Sequence, residues 1–258
     1  PLLRLGYVKL MNDGVLSAHT AVLLESYRDR EGWMGEYITE PGDLASQVEA
    51  MTAAGLPVAI HSIGDAAVRA SIDAFEASRN NPVPYPNRIE HIELIHADDV
   101  QRFRELGLAA SMQPNHATNA IGYVPVRVGT HREDRAYVWR SFIDAGVPLI
   151  FAADYPTSPL SPLVQIADAV FRVSPFGFHD GQPWHPEQSV TFEEALYAYT
   201  QESANVTPWK DQIGSITAGK WADFVVLNGK VPQPMDTNFR DLVVDKTYFA
   251  GREVYSSR

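Results

Sequence analysis

The stretch Val58-Ala59-Ile60-His61-Ser62-Ile63-Gly64-Asp65 (residues 58–65) decides the fold of this 258-residue chain. Its apolar, β-branched run reads as a strand that delivers an imidazole at its C-terminal end, and the following Gly-Asp opens a helix. The arrangement recurs about 30 residues later in Arg88-Ile89-Glu90-His91-Ile92-Glu93. It returns about two such intervals further on, where Leu149-Ile150-Phe151-Ala152-Ala153 runs into Asp154. One βα unit of an eight-stranded barrel takes about 30 residues, and the C-terminal strand ends of such barrels form the active-site face. The polar residues therefore recur in phase with a barrel, each at or just past a strand end.

Working outward, strands are expected over residues 6–11, 56–62, 88–92, 107–112 and 148–153, with helices over 42–54, 66–78, 98–106, 135–145 and 161–172. Short strands alternating with amphipathic helices make βα units and a parallel sheet. Residues 16–41 are long for a βα loop and read as an insertion over the barrel mouth, a lid or substrate-contacting loop. After a helix over 191–205, shorter runs at 214–219, 222–227, 242–248 and 253–255 suggest a separate small sheet. No low-complexity segment interrupts the chain.

Composition narrows the function classes. The formal net charge of −11 is the wrong sign for binding a phosphate backbone, so nucleic acid is excluded as a partner. No apolar run approaches the ~20 residues that a membrane-spanning helix needs. The absence of cysteine removes thiolate metal sites and cysteine nucleophiles. Any metal must be held by His, carboxylate or a modified side chain, and the expected partner is a small-molecule substrate. A cytoplasmic location is the expectation.

Alone, His61 has a bland reading as a satisfied core histidine, with Asp65 the cap of the next helix. A second strand-end imidazole one unit away, His91, shifts the pair towards metal ligation. Alternation puts Glu90 on the face opposite His91, so with His91 pointing inward, Glu90 and Arg88 should face the helices. Asp154 closes an apolar run; at a buried position a carboxylate needs a partner or a metal, and the alternative is a turn cap. Lys9, in Val8-Lys9-Leu10, reads either as an edge-strand surface lysine or as a neutral amine converted by CO2 to a carbamate.

Taken together, Val8-Lys9-Leu10-Met11-Asn12-Asp13-Gly14, His61-Ser62-Ile63-Gly64-Asp65-Ala66-Ala67-Val68, Arg88-Ile89-Glu90-His91, Ser111-Met112-Gln113-Pro114-Asn115-His116-Ala117 and Ala153-Asp154-Tyr155-Pro156 resemble the YtcJ-like branch of the amidohydrolase superfamily, amidohydrolase family 3. The tail from Gly214 to Leu227 is similar to the return of such proteins to a small β-sandwich. The resemblance implies an α/β, TIM-barrel (β/α)8 metal-dependent hydrolase fold. Residues 1–210 would form a partial barrel, strands four to eight, and residues 211–258 the C-terminal segment of the sandwich.

The resemblance further implies a metal set of Lys9 (as carbamate), His61, His91 and Asp154 around one or two divalent ions, zinc above all. Asp154 would be the catalytic acid and base, passing the proton of an activated water to the departing nitrogen of a non-peptide C–N bond. Gln113 and His116 would bind substrate or the developing oxyanion, with a structural turn at Pro114 as the alternative. Deamination, or ester or phosphotriester hydrolysis, is the runner-up on the same scaffold. A metal-free association module is the alternative of a different class.

Three departures are visible. Ala152-Ala153-Asp154 stands where Gly-Ser-Asp is usual, with His19 where Arg is common, and the His-x-His pair of the first barrel strand is absent. Five strands cannot close a barrel, so both edges must be covered by a missing N-terminal half or by another copy of the chain. The start at Pro1 suggests part of a longer protein, which alone is expected to have little or no activity.

Overall fold

The computed structural model describes residues 6–232 and 236–257; Pro1 lies outside them. Five parallel strands lie side by side in chain order: β1 (Val8–Met11), β2 (Val58–Ser62), β3 (Arg88–His91), β4 (Ala109–Met112) and β5 (Leu149–Phe151). The first three are followed by α1 (Pro41–Ala53), α2 (Asp65–Ala77) and α3 (Ala97–Glu105). After β4 come α4 (Pro114–Ala120), α5 (Val124–Val128) and α6 (Trp139–Asp144), and after β5 come α7 (Pro162–Phe171), α8 (Phe192–Tyr199) and α9 (Gln201–Asn205). A three-stranded antiparallel sheet of β6 (Phe224–Leu227), β7 (Val244–Phe249) and β8 (Arg252–Ser256) follows. Among the described residues no helix is long and apolar enough to cross a membrane.

All five expected strands form, each shorter than its apolar run. Two of the expected helices break up. The helix expected over 135–145 splits into a 3-10 turn at Glu133–Arg135 and α6, and that over 191–205 breaks at Thr200, whose backbone leaves the helical region at φ −119, ψ −81. No strand forms over 214–219. α4 and α5 were not expected: each starts with a proline in its first turn, where the missing N–H costs nothing.

The two faces of the sheet differ in chemistry. Ile60, Ile89, Ala110, Leu149 and Phe151 are buried in one core with Leu44, Val68, Ile72, Phe103 and Leu163 from the helices. The residues between them face the other way. Register pairs Lys9 with Ala59, Ala59 with Arg88 and Arg88 with Ala109, and a second row runs Met11, His61, Glu90, Ser111, Ile150. Paired residues of neighbouring strands share a face, so one side of the sheet is oily and the other carries Lys9, His61, Arg88, Glu90 and Ser111.

This register corrects the expected placement of Glu90 and Arg88. Both line a cavity of about 350 Å³ together with Lys9, His91 and Ser111, rather than facing the helices. His91 is the residue whose register partner, Ser62, points at α2, where its hydroxyl meets Ser71 Oγ at 2.8 Å. A positive φ of 77 at His91, followed by 49 at Ile92, breaks the alternation and turns the imidazole back towards Glu90's side. A non-glycine residue held there stores strain of order 1–3 kcal/mol.

Candidate metal centre

The site begins with the loop that follows β1. Asp13 is buried and its carboxylate accepts the amides of Val22, Ile63 and Gly64, all at 2.9 Å. Asn12 Nδ2 donates to the Ala67 carbonyl at 2.7 Å and to Ser71 Oγ at 3.0 Å. Asp65 is not the cap of α2: Gly64 holds that position, and Asp65 Oδ1 accepts the Leu24 amide at 2.9 Å. These bonds strap residues 16–41 across the C-terminal ends of β1 and β2. Residues 16–40 form no helix and no strand of either sheet, and Val15 just before them and Ser17 within them reach the wall of a cavity of about 440 Å³.

His61, His91, His116, Lys9 and Asp154 all line that cavity. The hydrogen bonds of two imidazoles fix which nitrogen is free. His61 Nε2 donates to the Gly14 carbonyl at 3.0 Å, leaving its Nδ1 lone pair unengaged. His91 Nδ1 donates to Gln113 Oε1 at 2.8 Å, leaving Nε2. The two rings meet edge to face with centroids 4.6 Å apart, and His116 lies nearly parallel to His91 at 6.0 Å. Gln113 thus spends its carbonyl oxygen on His91, the kind of partner that fixes a ligand's tautomer and orientation.

One atom from each of His91, His116 and Asp154 lies within 4.8 Å of the others, the tight ligand group that the described residues form. His116 Nε2 is buried without a hydrogen-bond partner and stands 4.0 Å from Asp154 Oδ2. Of the four expected ligands, His91 and Asp154 are therefore brought together with His116. His61 flanks His91 outside that group, and Lys9 shares the cavity wall.

Asp154 needs one correction. β5 ends at Phe151, so Asp154 falls three residues past it, at φ 55, with its side chain 44% exposed. The cost of a buried carboxylate is not the argument for it; convergence with two imidazoles is. Lys9 lies on the edge strand β1 with an exposed side chain, as an edge-strand lysine should. Partial loss of water and the charge of Arg88 hold its ammonium below the usual lysine range, opposed by Glu90 and Asp154.

Burial holds His61, His91 and His116 below the ordinary histidine range, and for His91 the neighbouring His61 and Lys9 add to it. Neutral imidazoles with free lone pairs are what metal ligation needs. With an orphaned Nε2 and convergent nitrogen and oxygen donors, the residues fit a divalent cation.

Glu93 and Asp13 escaped the sequence reading. Glu93 is buried in the same cavity wall, and burial pushes its carboxyl up to about 7, tempered by the Tyr137 hydroxyl. Its signal was the one that marked Asp154, a carboxylate within an apolar run, here Ile92-Glu93-Leu94-Ile95. Asp13, likewise pushed up to about 7 by burial against its three amide donors, sits in Asn12-Asp13-Gly14, which reads as an ordinary turn.

Residues 1–255 match the family model described as the amidohydrolase family. The chain is 30% identical to YtcJ of Bacillus subtilis (strain 168) over 99% of its own length and 48% of that protein's. It is 31% identical to N-substituted formamide deformylase of Arthrobacter pascens over 83% of its length and 38% of that protein's. The crystal structure of an uncharacterized metal-dependent hydrolase from Pyrococcus furiosus superposes with a TM-score of 0.73 at 33% identity, covering 84% of this chain and 43% of that one. The chain spans about half the length of the curated relatives it matches.

Proposed function

The chain belongs to the amidohydrolase family, and from that premise we propose that it supplies the metal-binding part of a hydrolase of non-peptide C–N bonds. The observation that carries this reading is the convergence of His91, His116 and Asp154 within 4.8 Å on a cavity that His61 and Lys9 also line. Zinc is the proposed metal, because the donors are imidazole and carboxylate and no thiolate competes. His91 Nε2 and Asp154 would hold it, with His61 Nδ1 and His116 Nε2 as the flanking imidazoles and a carbamate on Lys9 as a further oxygen donor. When bound, such an ion polarises a carbonyl and acidifies water.

The chain's own groups do the rest. Asp154, half exposed at the cavity wall, accepts a proton from water and returns it to the departing nitrogen. Gln113 keeps His91 in the tautomer that leaves Nε2 free, and the Gly14 carbonyl, with Asp13 3.7 Å away, keeps His61 in the tautomer that leaves Nδ1 free. His116, 4.0 Å from Asp154, stands where a carbonyl oxygen gaining negative charge could be met.

In this proposal β1 to β5 are strands four to eight of an eight-stranded barrel, with residues 1–210 as its catalytic part and residues 211–258 as a piece of the small sandwich. The polar face of the sheet is then the barrel interior, and the edges β1 and β5 pair with strands that this chain does not contain. The deformylase relative suggests N-substituted formamides as first substrates to try. The full-length protein, loaded with zinc, is expected to release amine from such a formamide. The D154N variant should lose turnover by about two orders of magnitude or more. Undiminished turnover in D154N would remove Asp154 from the chemistry.

A further inference from the structure

α4 presents one open face. Pro114, Asn115, Ala117, Thr118 and Ala120 are buried, which leaves His116 and Asn119, three positions apart and so on one side of the helix. Both line the cavity of about 440 Å³. The mechanism above uses His116 and gives Asn119 no part. What Asn119 offers to the cavity is settled by the side chains behind it. Arg240 stands 3.0 Å from Asp168, and its charge favours the carboxylate form there. Asp168 Oδ2 accepts from Asn115 Nδ2 at 2.8 Å, and Asn115 Oδ1 in turn accepts from Asn119 Nδ2 at 3.0 Å. A carboxylate accepts and cannot donate, so this chain fixes which end of each amide is nitrogen and which is oxygen. Asn119 therefore spends its nitrogen inside α4 and keeps its oxygen. That oxygen has no hydrogen-bond partner among the described residues, and it is not buried.

An oxygen that only accepts is matched by a group that only donates, and the N–H of an amide is such a group. An N,N-dialkyl amide or an ester would set a carbon or a lone pair against it and leave the oxygen unpaired in the closed site. We propose that Asn119 is a specificity-determining residue: its Oδ1 accepts the N–H of a secondary amide whose carbonyl meets His116, so substrates that keep an N–H are favoured over N,N-disubstituted ones. The proposal rests on the hydrolase reading above. It needs no titration and no charge, only an amide whose orientation Asn115 and Asp168 hold.

The test uses the full-length zinc-loaded protein with N-butylformamide, which carries an N–H, and N-butyl-N-methylformamide, which does not. Asn119→Leu keeps the side chain's volume and removes the acceptor. The ratio of kcat/KM for the first amide over the second should be about three- to tenfold higher in the wild type than in N119L, the scale of one neutral hydrogen bond. A second readout needs no turnover: calorimetric titration of the zinc-free protein with the same two formamides, where the ratio of affinities should fall in N119L by a similar factor. Hydrolysis with equal ratios in wild type and N119L, even where both rates drop together, overturns the role of Asn119 and leaves the hydrolase reading standing. An Asn119-dependent preference in binding with hydrolysis of neither amide supports the acceptor and goes against the hydrolase reading alone. Where hydrolysis occurs and the two readouts differ, the kcat/KM ratio decides. If N119L does not fold, N119M takes its place, and should neither fold, a wild type that binds both formamides equally overturns the proposal and one that favours N-butylformamide supports it.

Discussion

Replacing Gly64 by alanine sets steric crowding against chain entropy. Gly64 has φ −79 and ψ 153, which any residue adopts. The entropy removed from the unfolded chain would by itself make Gly64→Ala stabilising by about 0.4–1 kcal/mol. The new Cβ, however, would lie 2.1 Å from the Val22 carbonyl oxygen and 2.6 Å from its carbon. Both are backbone atoms that no rotamer change can move. The same oxygen accepts the amides of Ala66 at 3.1 Å and Ala67 at 3.3 Å, while the Val22 amide donates to Asp13. Displacing it weakens about three hydrogen bonds worth roughly 0.5–1.5 kcal/mol each, on top of about 1–3 kcal/mol of overpacking. Crowding wins, with a net loss of about 2–5 kcal/mol. Urea unfolding of the full-length protein should show the midpoint fall with an unchanged slope. A G64A variant as stable as the wild type, or more so, would refute the steric reasoning.

Gln113→Leu removes the acceptor that orients His91, so zinc affinity measured by chelator competition should fall about 10–100-fold with the fold intact; an unchanged affinity would mean that packing alone places the ring. Glu194, held at about 2 by its bidentate pairing with Arg140, has a folded pKa below its unfolded value. Its stabilisation is therefore present above about pH 4.5 and lost as pH falls towards 2. After discounting for its partial exposure, wild type and E194Q should differ by about 1 kcal/mol at pH 7 and converge near pH 2. Arg240→Ala strips the cation 3.0 Å from Asp168, which is 1% exposed, so unfolding free energy should drop by about 3–5 kcal/mol. R240A/D168N should recover part of that loss, and no recovery would assign the effect to lost packing of Arg240.

Much of the architecture was legible because a parallel strand buried against helices must be a short apolar run. Residues 56–62 and 148–153 announce themselves in that way, and β2 and β5 formed inside them. The placement of His61 after such a run was equally readable. What alternation could not give was the orientation of His91: it assumes extended backbone, and a φ of 77 turns that side chain onto the face of its neighbour Glu90. α4 and α5 were hidden for a related reason, since each is little more than one or two turns, too short for a periodic pattern. His116 was noticed as a substrate contact, but its approach to His91 and Asp154 depends on α4 starting straight after β4, which no local pattern signals. The partner of Gln113 and the burial of Glu93 are tertiary facts, set by what surrounds each side chain.

The most direct measurement on the central claim is anomalous scattering at the zinc edge from crystals of the full-length protein grown with zinc. A peak is expected about 2.0–2.2 Å from His91 Nε2 and from an Asp154 oxygen, with His61 Nδ1 or His116 Nε2 completing the ligands. Zinc-saturated crystals with no peak among His61, His91, His116 and Asp154 would contradict a metal centre built from these residues.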